Sequence, residues 1–199
     1  DDELTDASLQ LDWTYLVYHS PFLWALDKGY YADEGINLTI KEGQGSGTTN
    51  DLIAAGQDTF GFADTYTTVQ RRAAGAPVKS VEVIQRRSGF GHACLTEAGV
   101  SGPKDLEGQS VALVAAESTA AIWPAFAALN DIDLGQVSIV DADFSNKVQL
   151  LAAETVDCMI GYVAQDTLLA QLANPNVADA IGWVDFGINL MGHGIIVND

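Results

Sequence analysis

Short apolar runs alternate with helix-patterned stretches along almost the whole chain, and this alternation constrains the fold more than any other feature. Strands separated by helices are joined by crossovers, so they read as parallel βαβ units with helices covering the sheet faces. Strands are read at Leu9–Trp13, Ile36–Ile40, Thr59–Ala63 and Val78–Ile84. A helix from Ser20 to about Tyr31 starts on a capping serine with Pro21 in its first turn. The glycine-rich loop Gly43–Gly47 opens a second helix that runs through Ala55, and a third, Thr65–Ala74, stops at Gly75.

The pattern breaks after Arg86, where Gly89, Gly91 and Gly99 punctuate a short strand and Pro103–Gly108 reads as a single helical turn. A second series then follows. Strands are expected at Ser110–Val114, Val137–Val140, Val156–Ile160 and Ile181–Val184, with helices at Ser118–Leu129, Phe144–Glu154 and Val163–Leu172. Gly192–Asn198 is a closing apolar strand. A faint echo links the halves: Leu52-Ile53-Ala54-Ala55 leads to Gly61-Phe62-Ala63, and Leu150-Leu151-Ala152-Ala153 leads to Met159-Ile160-Gly161. The expectation is a two-lobed protein with lobe 1 at 1–88, lobe 2 at 89–192, and residues 193–199 crossing back to lobe 1. A ligand cleft is expected between the lobes. Gly89, Gly91, Gly192 and Gly194 are the hinge candidates, because glycine absorbs backbone change without steric cost.

Composition removes several classes. At 48% apolar and 18% charged, the 199 residues are neither disordered nor coiled coil. A formal charge of −18, with aspartate far outnumbering lysine, excludes sequence-independent nucleic-acid binding and argues against an anionic membrane surface. No apolar run approaches the roughly 20 residues of a membrane span. Cys94 and Cys158 each sit in an apolar stretch and are read as buried free thiols, with one bridge between them as the alternative. The opening Asp1-Asp2-Glu3, without an initiator Met, fits a processed mature form.

Catalytic and metal motifs are not legible. His19, His92 and His193 lie far apart without paired ligand spacing, so neither a metal nor catalytic residues are expected. Gly89-Phe90-Gly91-His92-Ala93 lacks the third glycine of a dinucleotide loop and reads as a crossover. Binding features instead gather at expected strand C-termini, where open α/β sheets hold ligands. Trp13 can stack on a ring and His19 presents a polar edge. Gly45, Ser46, Gly47 and Thr48 open a helix whose N–H groups can cradle an anion or carbonyl. Asp64, Thr65 and Tyr66 follow the third strand, where Asp64 either accepts from a ligand amine or caps the helix. Glu117, Ser118 and Thr119 are the counterparts in the second series, and Tyr162 follows the strand ending at Gly161.

These residues sit within a longer series. Leu11-Asp12-Trp13, Tyr18-His19, Ala25 through Ile36, Leu52 through Asp58, Gly61-Phe62-Ala63-Asp64, Arg72 through Val78, Gly102 through Gln109 and Val156 through Gly161 together resemble the thiamine-pyrimidine-synthase-like family. They are also similar to the sulfonate-, nitrate- and taurine-binding proteins. The resemblance implies an α/β, type II periplasmic-binding-protein fold, each lobe a mainly parallel sheet flanked by helices. It implies a monomeric solute-binding component of an ABC importer, with a permease and an ATPase as partners and without a cofactor. The location implied is periplasmic or otherwise extracytoplasmic, after removal of a signal peptide.

An enzymatic branch of the family builds the pyrimidine from its own histidine and a lysine-bound pyridoxal phosphate. This chain departs from it: Phe62-Ala63-Asp64 offers no lysine, Thr65-Tyr66-Thr67 no histidine, and Met191-Gly192-His193-Gly194 stands in place of a cysteine run. The expectation is therefore a protein that is not an enzyme. A second departure is that the family's C-terminal helices are absent from this chain. Carboxylates with an aromatic platform favour a thiamine-pyrimidine precursor or a similar nitrogen heterocycle as ligand. The alternative is an oxyanion such as an alkanesulfonate, taurine or nitrate, followed by a synthase or a ligand-sensing domain.

Overall fold

The computed structural model describes residues 4–199, apart from the side chain of Ala164. The Asp1-Asp2-Glu3 opening lies outside the described residues. The chain divides into two units. Unit 1 comprises the chain through Arg86 together with Met191–Asp199, and unit 2 spans Arg87–Leu190.

Unit 1 contains, numbered in chain order, β1 (Thr5–Gln10), α1 (Ser20–Asp27), α2 (Tyr30–Asp33), β2 (Ile36–Lys41), α3 (Ser46–Ala54), β3 (Phe60–Asp64), α4 (Thr65–Ala73) and β4 (Val78–Val83). The closing strand β10 (His193–Asn198) completes its sheet. The strand order is β2-β1-β3-β10-β4. β1 pairs parallel with β2 and β3, and β10 is antiparallel to both β3 and β4. Unit 2 contains β5 (Phe90–Cys94), β6 (Ser110–Val114), α5 (Ser118–Leu129), β7 (Ser138–Ala142), α6 (Lys147–Ala152), β8 (Cys158–Tyr162), α7 (Val163–Ala173) and β9 (Ile181–Gly182). Its order is β7-β6-β8-β5-β9, with β5 the reversed strand.

The two sheets are the same arrangement. Replacing β1–β4 by β6–β9 and β10 by β5 turns one strand order into the other. The echo in the sequence falls on equivalent places, since α3 leads into β3 as α6 leads into β8. Both sheets are mainly parallel, each with one reversed strand inserted beside the third.

Several boundaries differ from the sequence reading for physical reasons. β1 covers Thr5–Gln10 rather than Leu9–Trp13, pairing residue for residue with Ile36–Lys41. Its first half is polar because that part of the sheet is solvated, so an apolar run marked only its buried end. The helix read over Ser20–Tyr31 divides because Gly29 adopts φ 77°, giving α1 and α2. The helix read from Phe144 starts at Lys147, because Asp143 Oδ1 accepts from the backbone N–H groups of Ser145 and Asn146 and holds a turn there. Trp183 leaves the last strand of unit 2 for a 3₁₀ turn, Trp183–Phe186.

The cores are local to each unit. In unit 1, Leu9, Leu11 and Phe62 pack together, and Ile53, Ala63, Val78 and Ile196 form a second cluster. In unit 2, Ala93, Leu95, Ala112, Leu151, Met159 and Ala170 lie on one sheet face. The aromatics Trp123, Phe126 and Trp183 form another cluster, with the Phe126 and Trp183 rings stacked at 4.2 Å.

The expectation of free thiols is corrected. Cys94 and Cys158 are directly opposed across β5 and β8 and form a disulfide, 64 residues apart in sequence. Two apolar stretches concealed the pairing because only strand register shows that the cysteines face each other.

Candidate functional site

In each unit the parallel strands end on one edge of the sheet, and the polar residues singled out in the sequence gather there. In unit 1 the edge is knit by the backbone. Gly45 N–H donates to Asp12 O at 2.6 Å, and Asp64 N–H donates to Ser46 Oγ at 3.0 Å. Thr65 N–H donates to Gly192 O, and its hydroxyl donates to Met191 O. The turns after β1, β2 and β3 are thus tied to one another and to the start of β10.

The centre of this edge is Asp12. Its Oδ1 lies 2.8 Å from His19 Nε2, and its Oδ2 lies 2.9 Å from His193 Nε2. Tyr18 OH also donates to Oδ2 at 3.0 Å. The Leu16 N–H donates to His19 Nδ1, so the ring proton of His19 sits on Nε2 and is given to Asp12. His193 Nδ1 faces Gln85 Oε1 at 3.0 Å, which also accepts from the His193 N–H. Both ring nitrogens of His193 therefore face oxygen atoms. Burial pushes the Asp12 carboxyl up, but the His193 charge and the hydrogen bonds from both histidines outweigh it and hold it well below the usual carboxylate range.

His19 is thus a fully buried partner of Asp12 rather than a free polar edge. Trp13 is half-buried. Of the two roles open to Asp64, the structure shows the cap: Oδ1 accepts from the Thr67 N–H and hydroxyl, and the residue is fully buried. Tyr66 accepts through its hydroxyl from Gln70. Gly45, at φ 107°, precedes α3, so Ser46, Gly47 and Thr48 form its first turn. The Arg71 guanidinium lies where a side chain on Gly47 would point.

The edge of unit 2 is built around Lys147, one of the few lysines. Its Nζ lies 2.5 Å from Glu117 Oε1 and 2.7 Å from Asp166 Oδ2. Glu117 follows β6, Lys147 begins α6 and Asp166 is in the first turn of α7. Thr119 donates its hydroxyl to Glu117 Oε2 at 3.0 Å. Burial pushes Glu117 up, Lys147 pulls it down and Asp166 pushes it up again, leaving it above the ordinary value. Lys147 is lowered by burial but raised more by its two carboxylates. Gly161 lies directly beneath: a side chain there would strike Lys147 Nζ and approach Asp166 Oδ2 and Glu117 Oε2 at 3.1 and 3.2 Å. Tyr162 is half-buried and packs edge-on against Phe90 at 5.0 Å. Ser118 opens α5 beside Thr119.

Sequence reasoning gave no site role to Asp12, Gln85, Lys147, Asp166 or His193. Lys147 carried a signal, since it lies four residues before Leu151 and shares its buried helix face. The four hinge candidates lie in different settings. Gly91 and Gly194 are inside β5 and β10, where a side chain would collide with the Ile181 and Glu82 carbonyl oxygens. Gly192 is fastened by its N–H to Gln85 O, and Gly89 lies against the Tyr162 ring. Among the described residues, no group of three or more His, Cys, Asp or Glu could hold a metal ion, and no helix is long and apolar enough to cross a membrane.

Two equivalent α/β units, each with its polar cluster at the strand C-termini and each accepting one reversed strand, define a periplasmic-binding-protein fold of two lobes. The family model described as NMT1/THI5 like matches residues 17–199, and the chain belongs to that family. A 4-amino-5-hydroxymethyl-2-methylpyrimidine phosphate synthase of Legionella pneumophila is 27% identical over 157 residues, covering 79% of this chain and 49% of the relative. One of Uromyces fabae is 29% identical over 108 residues, 54% of this chain and 32% of the relative. The chain thus spans about half the length of the first of these relatives and less of the second. Among solved structures, the alkanesulfonate-binding protein SsuA from Xanthomonas axonopodis, bound to MOPS, superposes with a TM-score of 0.67 at 14% identity, covering 98% of this chain and 66% of that one. The aliphatic sulphonate binding protein SsuA from Escherichia coli gives 0.68 at 14%, covering 97% and 65%. At that identity the likeness establishes the fold. The relatives' names correct one expectation: they are enzymes by name, so the reading of this chain as a non-enzyme is overturned.

Proposed function

We propose that this chain is a solute-binding component of an ABC importer that captures a small nitrogen heterocycle of the aminopyrimidine class outside the cytoplasm. The observation that carries the ligand class is the make-up of the two carboxyl edges. Asp12, Glu117 and Asp166 supply buried or nearly buried carboxylates, and half-buried Trp13 and Tyr162 lie on the same edges. Carboxylates accept from an exocyclic amine and a protonated ring nitrogen, and a flat ring stacks on an aromatic. The relatives' name involves the same pyrimidine class. The Cys94–Cys158 disulfide supports the location, because disulfides persist in oxidising compartments and are rare in the cytosol. Ligand would shift the protein toward a closed state, and a permease and an ATPase would receive it.

A second reading, an oxyanion ligand, is favoured by the first turn of α3, where Ser46, Gly47 and Thr48 present helix-start N–H groups beside Arg71. Calorimetric titration with 4-amino-5-hydroxymethyl-2-methylpyrimidine, taurine and nitrate separates the two. Heat with the pyrimidine alone is expected, and heat only with taurine or nitrate overturns the heterocycle reading. Pyrimidine binding is common to a carrier and a synthase, so the same samples are assayed for pyrimidine phosphate. Its formation would move the chain to the synthases.

A further inference from the structure

We infer that Lys147 is a positioning residue that holds Glu117 as an ionised acceptor aimed along the unit 2 edge, and that Asp166 opposes it. The ligand part of this inference rests on the reading of Glu117 as a ligand contact given above. The geometry separates the ammonium from any ligand. The Lys147 side chain is 4% exposed, whereas Glu117 and Asp166 are 12% and 20% exposed, so the lysine stands behind its two carboxylates. Its Nζ takes Glu117 Oε1 and the Thr119 hydroxyl takes Oε2, which fixes both oxygens of one carboxyl group. Gly161 is what lets the ammonium sit there, because any side chain would fill that space.

The charged groups facing Glu117 are Lys147 from α6 and Asp166 from α7, while its own helix contributes the Thr119 hydroxyl. Their effects on Glu117 have opposite signs: Lys147 favours the carboxylate and Asp166 favours the neutral acid. A buried glutamate without the lysine would be protonated at higher pH and would cease to accept from a ring N–H or amine. The position of Lys147 is equivalent to that of Ser46 in unit 1, the first residue of α3, where a hydroxyl merely accepts from the Asp64 N–H. Unit 2 therefore carries an added charge at a place where unit 1 has none.

The test compares the wild-type chain with Lys147→Met, Lys147→Arg and Asp166→Asn, each first shown to be folded by circular dichroism. Carboxyl carbon NMR of the ligand-free proteins, with Glu117 assigned by Glu117→Gln, reads the titration directly. The Glu117 midpoint is expected to rise in Lys147→Met and to fall in Asp166→Asn, with Lys147→Arg close to wild type. Titration with 4-amino-5-hydroxymethyl-2-methylpyrimidine then reads the consequence. Affinity is expected to fall in Lys147→Met, with its acid limb displaced upward, and the limb is displaced downward in Asp166→Asn. The probe's own titration is common to all samples and cancels. Unmoved midpoints, or midpoints that move in the same direction in both variants, overturn the inference. If Lys147→Met does not fold, the downward shift in Asp166→Asn decides alone. Shifted midpoints without pyrimidine heat from the wild type overturn the heterocycle reading instead.

Discussion

In unit 1 the buried charge centre is a carboxylate between two imidazoles, and in unit 2 it is an ammonium between two carboxylates. The sheets around them are equivalent strand for strand, and Asp12 and Glu117 follow the equivalent strands β1 and β6. An acid at this point is thus common to both, but its partners are not. Asp12 takes its partners from the segment before α1 and from β10, a strand that returns from the far end of the chain. Glu117 takes its partner from α6, within the local β/α series. One unit takes a partner for its buried charge from a distant strand, and the other builds its charge centre from neighbouring β/α segments. The lesson is that a repeated fold conserves where a charge sits more readily than what neutralises it.

The largest effect should come from breaking the centre of unit 1. Asp12→Ala leaves His19 and His193 buried against a void, and the loss of one partner of a buried ion pair costs about 3–5 kcal/mol. Denaturant unfolding should show the loss in the transition reported by Trp13 and Trp24, while Trp123 and Trp183 report unit 2. A single transition reporting from all four would break the comparison. Next, the double substitution Cys94→Ala, Cys158→Ala removes a link spanning 64 residues and should weaken unit 2 by about 4 kcal/mol, with calorimetry showing the loss. An unchanged unit 2 transition would mean that its cores suffice alone.

Acid should separate the units as well. Burial pushes His92 down to about 4, against a small opposing pull from Asp105, and its Nδ1 accepts from the Trp183 indole at 3.0 Å. Its folded value lies below its unfolded value, so the unfolded chain takes up the proton. The stability it contributes is complete above about pH 6.5 and is lost as pH falls to about 4, roughly 3 kcal/mol in all. Asp12, held low, withdraws its share only at more acidic pH, so unit 2 is expected to melt first on acidification. His92→Gln should flatten that dependence, and an equal slope in the variant would remove His92 as its cause. The smallest effect is expected of Gly161→Ala, about 1–3 kcal/mol from overpacking against Lys147, read as a lowered melting temperature.

The βα alternation, the break near Arg86 and the Leu-Ala-Ala echo stated the architecture before any contact was known, because period and spacing are properties of neighbouring residues. The strand-end positions of Trp13, Ser46, Asp64, Glu117 and Tyr162 followed from the same pattern. Which acid does what did not. Asp64 and Asp12 are both aspartates at strand ends, yet one caps a helix and the other binds two imidazoles.

What the sequence determined by itself was the order of elements and the edge on which polar groups collect, since both are set by hydrophobic periodicity and strand direction. Tertiary structure alone decided the pairings: His193 with Asp12, 181 positions away, Lys147 with Glu117 and Asp166, and Cys94 with Cys158. Each depends on which strand lies beside which and in what register. That is fixed by the packing of whole sheets and leaves no local pattern in the chain.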